Sequence, residues 1–254
     1  MAFRGEVVLV TGAASGMGRL AAQRMAAGGA RVSAVDVNAE GLRATAEGHE
    51  KIATRALDVT DSQAVQNLVE EVEAELGPID RVYNAAAIMP TALLMDQDVE
   101  TIRRIMDVNY GGVANVTRAV MPRMLERGRG DLVNFASIAG WLPCIHFGAY
   151  NASKFAVVAF TEVLAHENRD RGVRITCVCP PPVDTPLLDQ AKSKPRILEQ
   201  APPIRPEEVL DAIEDALERG RLWVFPGRGT SLLWRMRRFA PGLTWRRLHQ
   251  VEGR

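Results

Sequence analysis

Ser137, Tyr150 and Lys154 are the residues whose types and spacing most directly suggest chemistry. Tyr150 and Lys154 stand four apart in a stretch that reads as the opening of a helix, where residues i and i+4 share a face. A phenol titrates near pH ~10, and a cation held close favours the phenolate. Lys154 is therefore expected to draw Tyr150 toward working pH as a proton donor or acceptor. The hydroxyl of Ser137, 13 residues before Tyr150, follows an apolar run. A Tyr-x-x-x-Lys spacing also describes an ordinary amphipathic helix with a half-buried Tyr and a solvated Lys, so the surrounding elements have to decide.

Those elements alternate between strand and helix. Val7–Val10 is a short β-branched run ending at Thr11-Gly12-Ala-Ala-Ser15-Gly16-Met17-Gly18, and Met17, Leu20, Ala21 and Met25 then follow helical spacing. The turn's glycines permit positive φ and close backbone approach, and the helix behind them presents unpaired N–H groups to an anion such as a pyrophosphate. A tight turn packed by glycines is the other reading.

The strand Arg31–Val35 ends on Asp36 and Val37, with Asp36 placed 18 residues past Gly18. An acid in that position of a dinucleotide-binding unit accepts hydrogen bonds from the adenosine ribose and repels a 2′-phosphate, which favours NAD over NADP. Asn38 can cap the helix that follows. A third strand, 52–57, ends at Asp58-Val59. Asp58 there can reach an adenine amino group or serve as a loop or capping acid.

Gly77-Pro78 precedes a fourth strand, 79–83, followed by Asn84, Ala85 and Ala86. Helical periodicity then runs over 98–127 with Asp98 as the cap. Inside it, Asn109 next to Gly111-Gly112 marks either a kink that aims a polar group inward or a packing glycine pair. A fifth strand, 131–136, leads into Ser137, and the helix bearing Tyr150 and Lys154 is expected to reach 171. A sixth strand covers 173–179, a polar, proline-bearing lid 185–205, a helix 206–219 and a last strand 222–225.

The chain of 254 residues suits one large α/β domain, 1–227, and 47% hydrophobic content supplies its core. Balanced charge, 31 basic and 31 acidic, gives no global reason to expect nucleic acid. Cys144, Cys177 and Cys179 have neither a metal-ligand spacing nor a disulfide framework, so no metal is expected and the thiols read as reduced, in a cytoplasmic protein. No signal-peptide pattern or spanning helix is expected. The extension 228–254 carries seven Arg and one Glu among leucines and aromatics around Pro241-Gly242. It reads as two short amphipathic helices suited to a membrane surface, a partner subunit or the protein's own body.

Together, the order of these motifs from Val7 to Gly227 resembles the single-domain short-chain dehydrogenase/reductase family. Gly12, Ser15, Gly16, Met17 and Gly18 match its cofactor turn and Asp58-Val59 its adenine contact. Asn109, Ser137, Tyr150 and Lys154 match its catalytic tetrad. The resemblance implies a Rossmann-type, doubly wound, seven-stranded, mostly parallel sheet of order 3-2-1-4-5-6-7 with helices on both faces. It also implies reversible hydride transfer between NAD and an alcohol or carbonyl carbon.

By the same resemblance, Tyr150 moves the hydroxyl proton and Ser137 hydrogen-bonds the developing alkoxide. Lys154 tunes Tyr150 and binds the nicotinamide ribose, while Asn109 positions a water on the proton path. The cofactor is further expected against Asp36, Val37, Asn84, Ala85, Ala86, Pro180, Val183 and Thr185, and the substrate against Ser137, Trp141, Phe147 and Leu187. The apolar character of those walls favours a lipophilic small-molecule alcohol or ketone. Association through the two long helices implies a homodimer or homotetramer. A non-catalytic dinucleotide sensor or scaffold using the basic tail is the competing class. Two positions depart from the family pattern: Tyr83-Asn84-Ala85-Ala86 replaces Asn-Asn-Ala-Gly, and Pro181 stands where Gly is usual.

Overall fold

A computed structural model describes residues 3, 5–191, 196 and 202–253, the side chain of Leu233 excepted. Seven strands form one sheet: β1 (Val7–Thr11), β2 (Arg31–Asp36), β3 (Ile52–Ala56), β4 (Arg81–Asn84), β5 (Gly130–Phe135), β6 (Val173–Val178) and β7 (Trp223–Val224). Their order is β3-β2-β1-β4-β5-β6-β7 and every pairing is parallel. The antiparallel edge that a mostly parallel sheet allows is absent among the described residues.

All-parallel sheets need both faces covered, and the strand sequences reflect this. In β1, Val8 and Val10 face one core with Ala21 and Met25 of α1 (Gly16–Ala27), Leu42 of α2 (Ala39–Ala46), and Ile213 and Leu217 of α7 (Pro206–Glu218). Val7 and Leu9 face the opposite core with Val65, Leu68 and Val72 of α3 (Ser62–Leu76) and Val116, Val120 and Met124 of α5 (Gly112–Arg127). Strand side chains alternate faces, so one run of aliphatics feeds two layers, each fully buried side chain contributing roughly 1.5–3 kcal/mol.

Helix starts carry their caps. Asn38 accepts the Gly41 N–H, Asp61 those of Gln63 and Ala64, and Asp98 that of Thr101 at the start of α4 (Val99–Met106). The helix expected over 98–127 is interrupted by a π-turn at Asp107–Gly111, which separates α4 from α5. The catalytic-motif helix, α6 (Gly148–Glu167), stops short of 171 because Asn168 caps it ahead of Gly172, which adopts φ +79°.

The C-terminal segment forms α8 (Thr230–Phe239) and α9 (Pro241–Glu252). Its inward face lies on the protein's own body. Trp234 packs 5.2 Å from Trp141 and stacks 6.1 Å from Phe225 (ring centroids), and Leu248 is buried. Among the described residues no helix is long and apolar enough to cross a membrane. Residues 192–195 and 197–201 of the expected lid lie outside the described residues.

Candidate active site

The strand order reverses between β1 and β4, and the turns leaving these two strands meet there. Gly12 adopts φ +67°, and a Cβ at this residue would sit 2.7 Å from the Ala85 carbonyl. At Gly18 a Cβ would come within 2.2 Å of the Gly12 oxygen. A side chain at Gly12 would push the turn off the segment that follows β4, and one at Gly18 would push α1 off the turn. Thr11 Oγ1 completes the junction by accepting the N–H groups of Ala85 (3.2 Å) and Ala86 (3.3 Å). Ser15 is the N-cap of α1 but makes no capping bond, so its hydroxyl and the first-turn N–H groups are left for an anion.

A cavity of about 500 Å³ runs from this turn across the strand ends to the lid. Gly12, Ser15, Gly16, Met17, Gly18, Asp36, Val37, Asp58, Val59, Ala85, Ala86, Pro180, Val183 and Thr185 all line it, as do Ser137, Tyr150 and Lys154. Asp36 is fixed at the end of β2, its carboxylate accepting the Ala14 N–H (3.1 Å) and the Asn38 N–H (2.9 Å). Arg19 is no cavity residue: its guanidinium donates to the Ala14 and Gly41 carbonyls beneath the turn.

Asp58 accepts from the Thr60 N–H (2.9 Å) and hydroxyl (2.8 Å) and from Arg104 Nη2 (2.8 Å). Burial acts to raise its pKa, but the bonds from Arg104 and Thr60 outweigh it and hold the carboxyl below its usual range. Asp58 thus acts as the loop acid, and it also borders the cavity. Arg104, also on the wall, was not singled out from sequence, where it is one arginine among several on an amphipathic helix.

The acid–base residues come from two elements, the end of β5 and the start of α6. Ser137 follows β5 and accepts the Ala139 N–H at 3.1 Å, while its hydroxyl also meets that of Tyr150. Tyr150 and Lys154 lie on the first turns of α6, both buried. Lys154 Nζ donates to the Phe135 carbonyl (2.9 Å) and stands 5.7 Å from the Tyr150 ring centroid.

Burial pushes Tyr150 up to about 12, opposed by its bond to Ser137. Burial likewise pushes Lys154 down to about 8, opposed by the nearby Cys177 and Cys179. In the cofactor-free chain burial is thus the larger influence on the phenol and acts opposite to the downward pull expected of Lys154.

Asn151 was also missed. Its side chain accepts the Cys144 N–H (3.0 Å) and donates to the Ala139 and Leu142 carbonyls, tying the 138–147 loop to α6. An Asn one position after the Tyr carries no signal of this in sequence.

Three expected contacts fall elsewhere. Asn84 is buried under the strand ends as the last residue of β4, donating to Asn134 Oδ1 (2.9 Å) on the neighbouring β5. Trp141 turns away from the cavity. Its indole N–H donates to Cys179 Sγ (3.2 Å) and its ring packs on Trp223, Phe225 and Trp234, aromatic contacts that hold it on the far side of β6 and β7 from the cavity. Asn109, in the π-turn, clamps Ile88 through both its N–H (2.8 Å) and carbonyl (3.0 Å) and donates to Ser153 Oγ (3.0 Å). Its amide binds the loop after β4 to α6 and does not line the cavity.

The sequence model of the short chain dehydrogenases matches residues 6–196. The chain belongs to the short-chain dehydrogenase/reductase family. It is similar to the D-threitol dehydrogenase of Mycolicibacterium smegmatis, with 41% identity over 76% of this chain and 75% of the relative. It is also similar to the 2-dehydro-3-deoxy-L-rhamnonate dehydrogenase (NAD(+)) of a Sphingomonas species, with 36% identity over 74% and 76%. A solved short-chain dehydrogenase/reductase from Burkholderia phymatum in complex with NAD superposes with a TM-score of 0.87 at 27% identity, covering 96% of both chains. The protein is thus an oxidoreductase of a family that binds nicotinamide dinucleotides and acts on small molecules.

Within this short-chain dehydrogenase the two departures have local explanations. Tyr83 points under the sheet, where its hydroxyl meets Arg81 Nη1 (3.0 Å) and Glu214 Oε1 (3.3 Å). It completes a buried network in which Arg81 also bonds Asp131 at 2.8 Å. The methyl group of Ala86 and the ring of Pro181 both line the cavity. The neighbouring Pro180 carbonyl still accepts the Ile138 N–H at 2.8 Å, so the proline leaves the junction with the Ser137 loop intact.

Proposed function

We propose that this dehydrogenase transfers hydride reversibly between NAD and a lipophilic alcohol, secondary or primary, and its carbonyl compound. The distribution of charge along the cavity carries this reading. Among the described lining residues the charged ones are Asp36, Asp58 and Arg104 at one end and Lys154 at the centre. The far end is formed by Ile88, Met89, Leu142, Cys144, Phe147, Leu187, Leu188 and Gln190. Among the described residues a carboxylated or phosphorylated substrate would meet no counter-charge there, which is unfavourable in a desolvated site.

The residues fit a dinucleotide. The α1 N-terminus and Gly12-to-Gly18 turn would hold the pyrophosphate, Asp36 the adenosine ribose, and Asp58, Val59 and Arg104 would border the base. Pro180, Val183 and Thr185 would flank the nicotinamide and Lys154 its ribose. The Asp36 carboxylate beside Val37, with no cation on the turn, favours NAD over NADP. When bound, the dinucleotide supplies the hydride acceptor or donor.

The chain's own residues manage the proton. Raised to about 12, Tyr150 keeps its proton at neutral pH, which makes the cofactor-free site a proton donor to a carbonyl oxygen. Ser137 shares that hydroxyl's hydrogen bond and would steady the oxygen as it gains charge. Lys154, lowered to about 8, is close to working pH and can pass a proton onward. Asn109 acts on this path by holding the 88 loop and α6 in register.

The exposed apolar side chains Val99 on α4 and Phe155 and Val163 on α6 support association of copies through these helices. A screen of NAD and NADP against lipophilic alcohols and ketones, polyols and sugar acids, read by reduced-nicotinamide absorbance, tests the proposal. NAD-linked turnover of lipophilic substrates is expected. Activity confined to charged or polyhydroxylated compounds would refute it.

A further inference from the structure

We infer that the outer face of α8 and α9 is a docking surface for an anionic lipid bilayer. Two observations converge there. On α8, Leu232, Arg235, Met236 and Phe239 occupy positions i, i+3, i+4 and i+7, one face of the helix, and all are exposed, Phe239 by 81%. Thr230 and Trp234 occupy the opposite face and are turned into the body. On α9, Leu243, Arg246, Arg247 and Gln250 repeat the spacing on the exposed side while Leu248 is buried. The helices are therefore anchored by their inner faces and present apolar side chains, with arginines between them, to the outside.

The second observation is charge. Residues 228–254 hold seven Arg and one Glu, and α8 has no acid at all. Among the described residues none of Arg228, Arg235, Arg237, Arg238, Arg246 and Arg247 has a carboxylate partner. On the body, Arg24, Arg31, Arg55, Arg104, Arg123 and Arg127 each have one.

An isologous contact between two copies through this face would set these arginines against one another, which like-charge repulsion opposes. A nucleic acid would leave Leu232, Met236, Phe239 and Leu243 without a use. An anionic bilayer satisfies both features: the apolar side chains enter the headgroup boundary and the arginines meet lipid phosphates and carboxylates.

The surface also adjoins the cavity mouth. Glu252 at the end of α9 accepts the Arg196 N–H (3.3 Å) from the lid, and its charge is felt by Cys144 on the cavity wall. For a lipophilic substrate, a step that rests on the function proposed above, docking would place the mouth beside the phase where that substrate resides.

The test is flotation of the full-length protein with neutral phosphatidylcholine vesicles and with vesicles that also contain phosphatidylserine. Flotation is expected with the anionic vesicles alone, weakening as salt rises. The Met236→Ser/Phe239→Ser double variant should lose it, and Arg235→Gln should weaken partitioning about fivefold. All these side chains are exposed, so each variant should keep the wild-type melting curve. No flotation on anionic vesicles, or flotation indifferent to both variants, overturns the proposal. So does a dimer that the double variant dissociates in the absence of vesicle binding, since the face would then belong to a second copy. Because flotation reads docking without turnover, its failure is distinct from failure of the proposed substrate class.

Discussion

Measured against wild type, Lys154→Met should favour the folded cofactor-free protein more at neutral than at alkaline pH, while removing a central part of the site. In the folded chain Lys154 titrates at about 8 because burial disfavours its charge, whereas an unperturbed lysine has the value 10.5. Between these values the unfolded chain holds a proton that the folded chain has released, so wild-type stability rises with pH across that window. Below pH 8 the full penalty applies, about 3 kcal/mol. Met fills similar volume without a charge, but it strands the Phe135 carbonyl that accepts from Nζ, a loss of about 1–3 kcal/mol.

The absolute change at one pH is therefore a small difference of opposing terms, and the pH dependence discriminates. Urea unfolding of wild type and variant at pH 7.5 and pH 9.5 should show wild type gaining about 2 kcal/mol on the variant across the interval. Tyr150, raised to about 12, contributes only above its unfolded value of 10 and is common to both proteins. A gap that stays constant between the two pH values would mean that Lys154 is not desolvated as described, and would refute the reasoning.

Asp36→Ala should lower the NAD-to-NADP ratio of kcat/KM at least about tenfold, by removing the carboxylate that meets the ribose and repels a 2′-phosphate; steady-state kinetics with both cofactors checks this. Trp141→Ala should lower Tm by several degrees through loss of its contacts with Trp223, Phe225 and Trp234, with KM for a lipophilic substrate within about threefold of wild type. A large KM rise with unchanged melting would return Trp141 to the substrate wall.

The parallel sheet was legible because aliphatic runs buried on both faces alternate with helices, and its order followed from the family resemblance carried by the motifs at the ends of β1, β2 and β5. The cofactor turn was legible for a similar reason: Gly12 and Gly18 sit where no Cβ fits, so sequence and geometry state the same constraint. What escaped depends on which way a side chain turns. Trp141 and Phe147 flank the same loop and look alike in sequence, yet one packs outward under α8 and the other lines the cavity. The partner that decides this, Trp234, lies far along the chain.

Asn84 escaped because its place among the buried amides depends on Asn134, fifty residues further along the chain. The upward push of burial on Tyr150 was not legible, because spacing reveals the cation four residues away and not the depth of burial. Arg104 and Asn151 act through contacts with segments remote in sequence, so no local pattern marks them.

The most direct test of the account is Tyr150→Phe, assayed in parallel for turnover and for NAD binding by calorimetry. The substitution deletes one hydroxyl at the centre of the cavity and leaves the turn at Gly12–Gly18 and Asp36 untouched. Turnover should fall about a thousandfold, as general acid–base groups commonly contribute ~10²–10⁴, with NAD affinity within a few-fold of wild type. Turnover within a few-fold of wild type would contradict the assignment of Tyr150 as the proton-transferring residue.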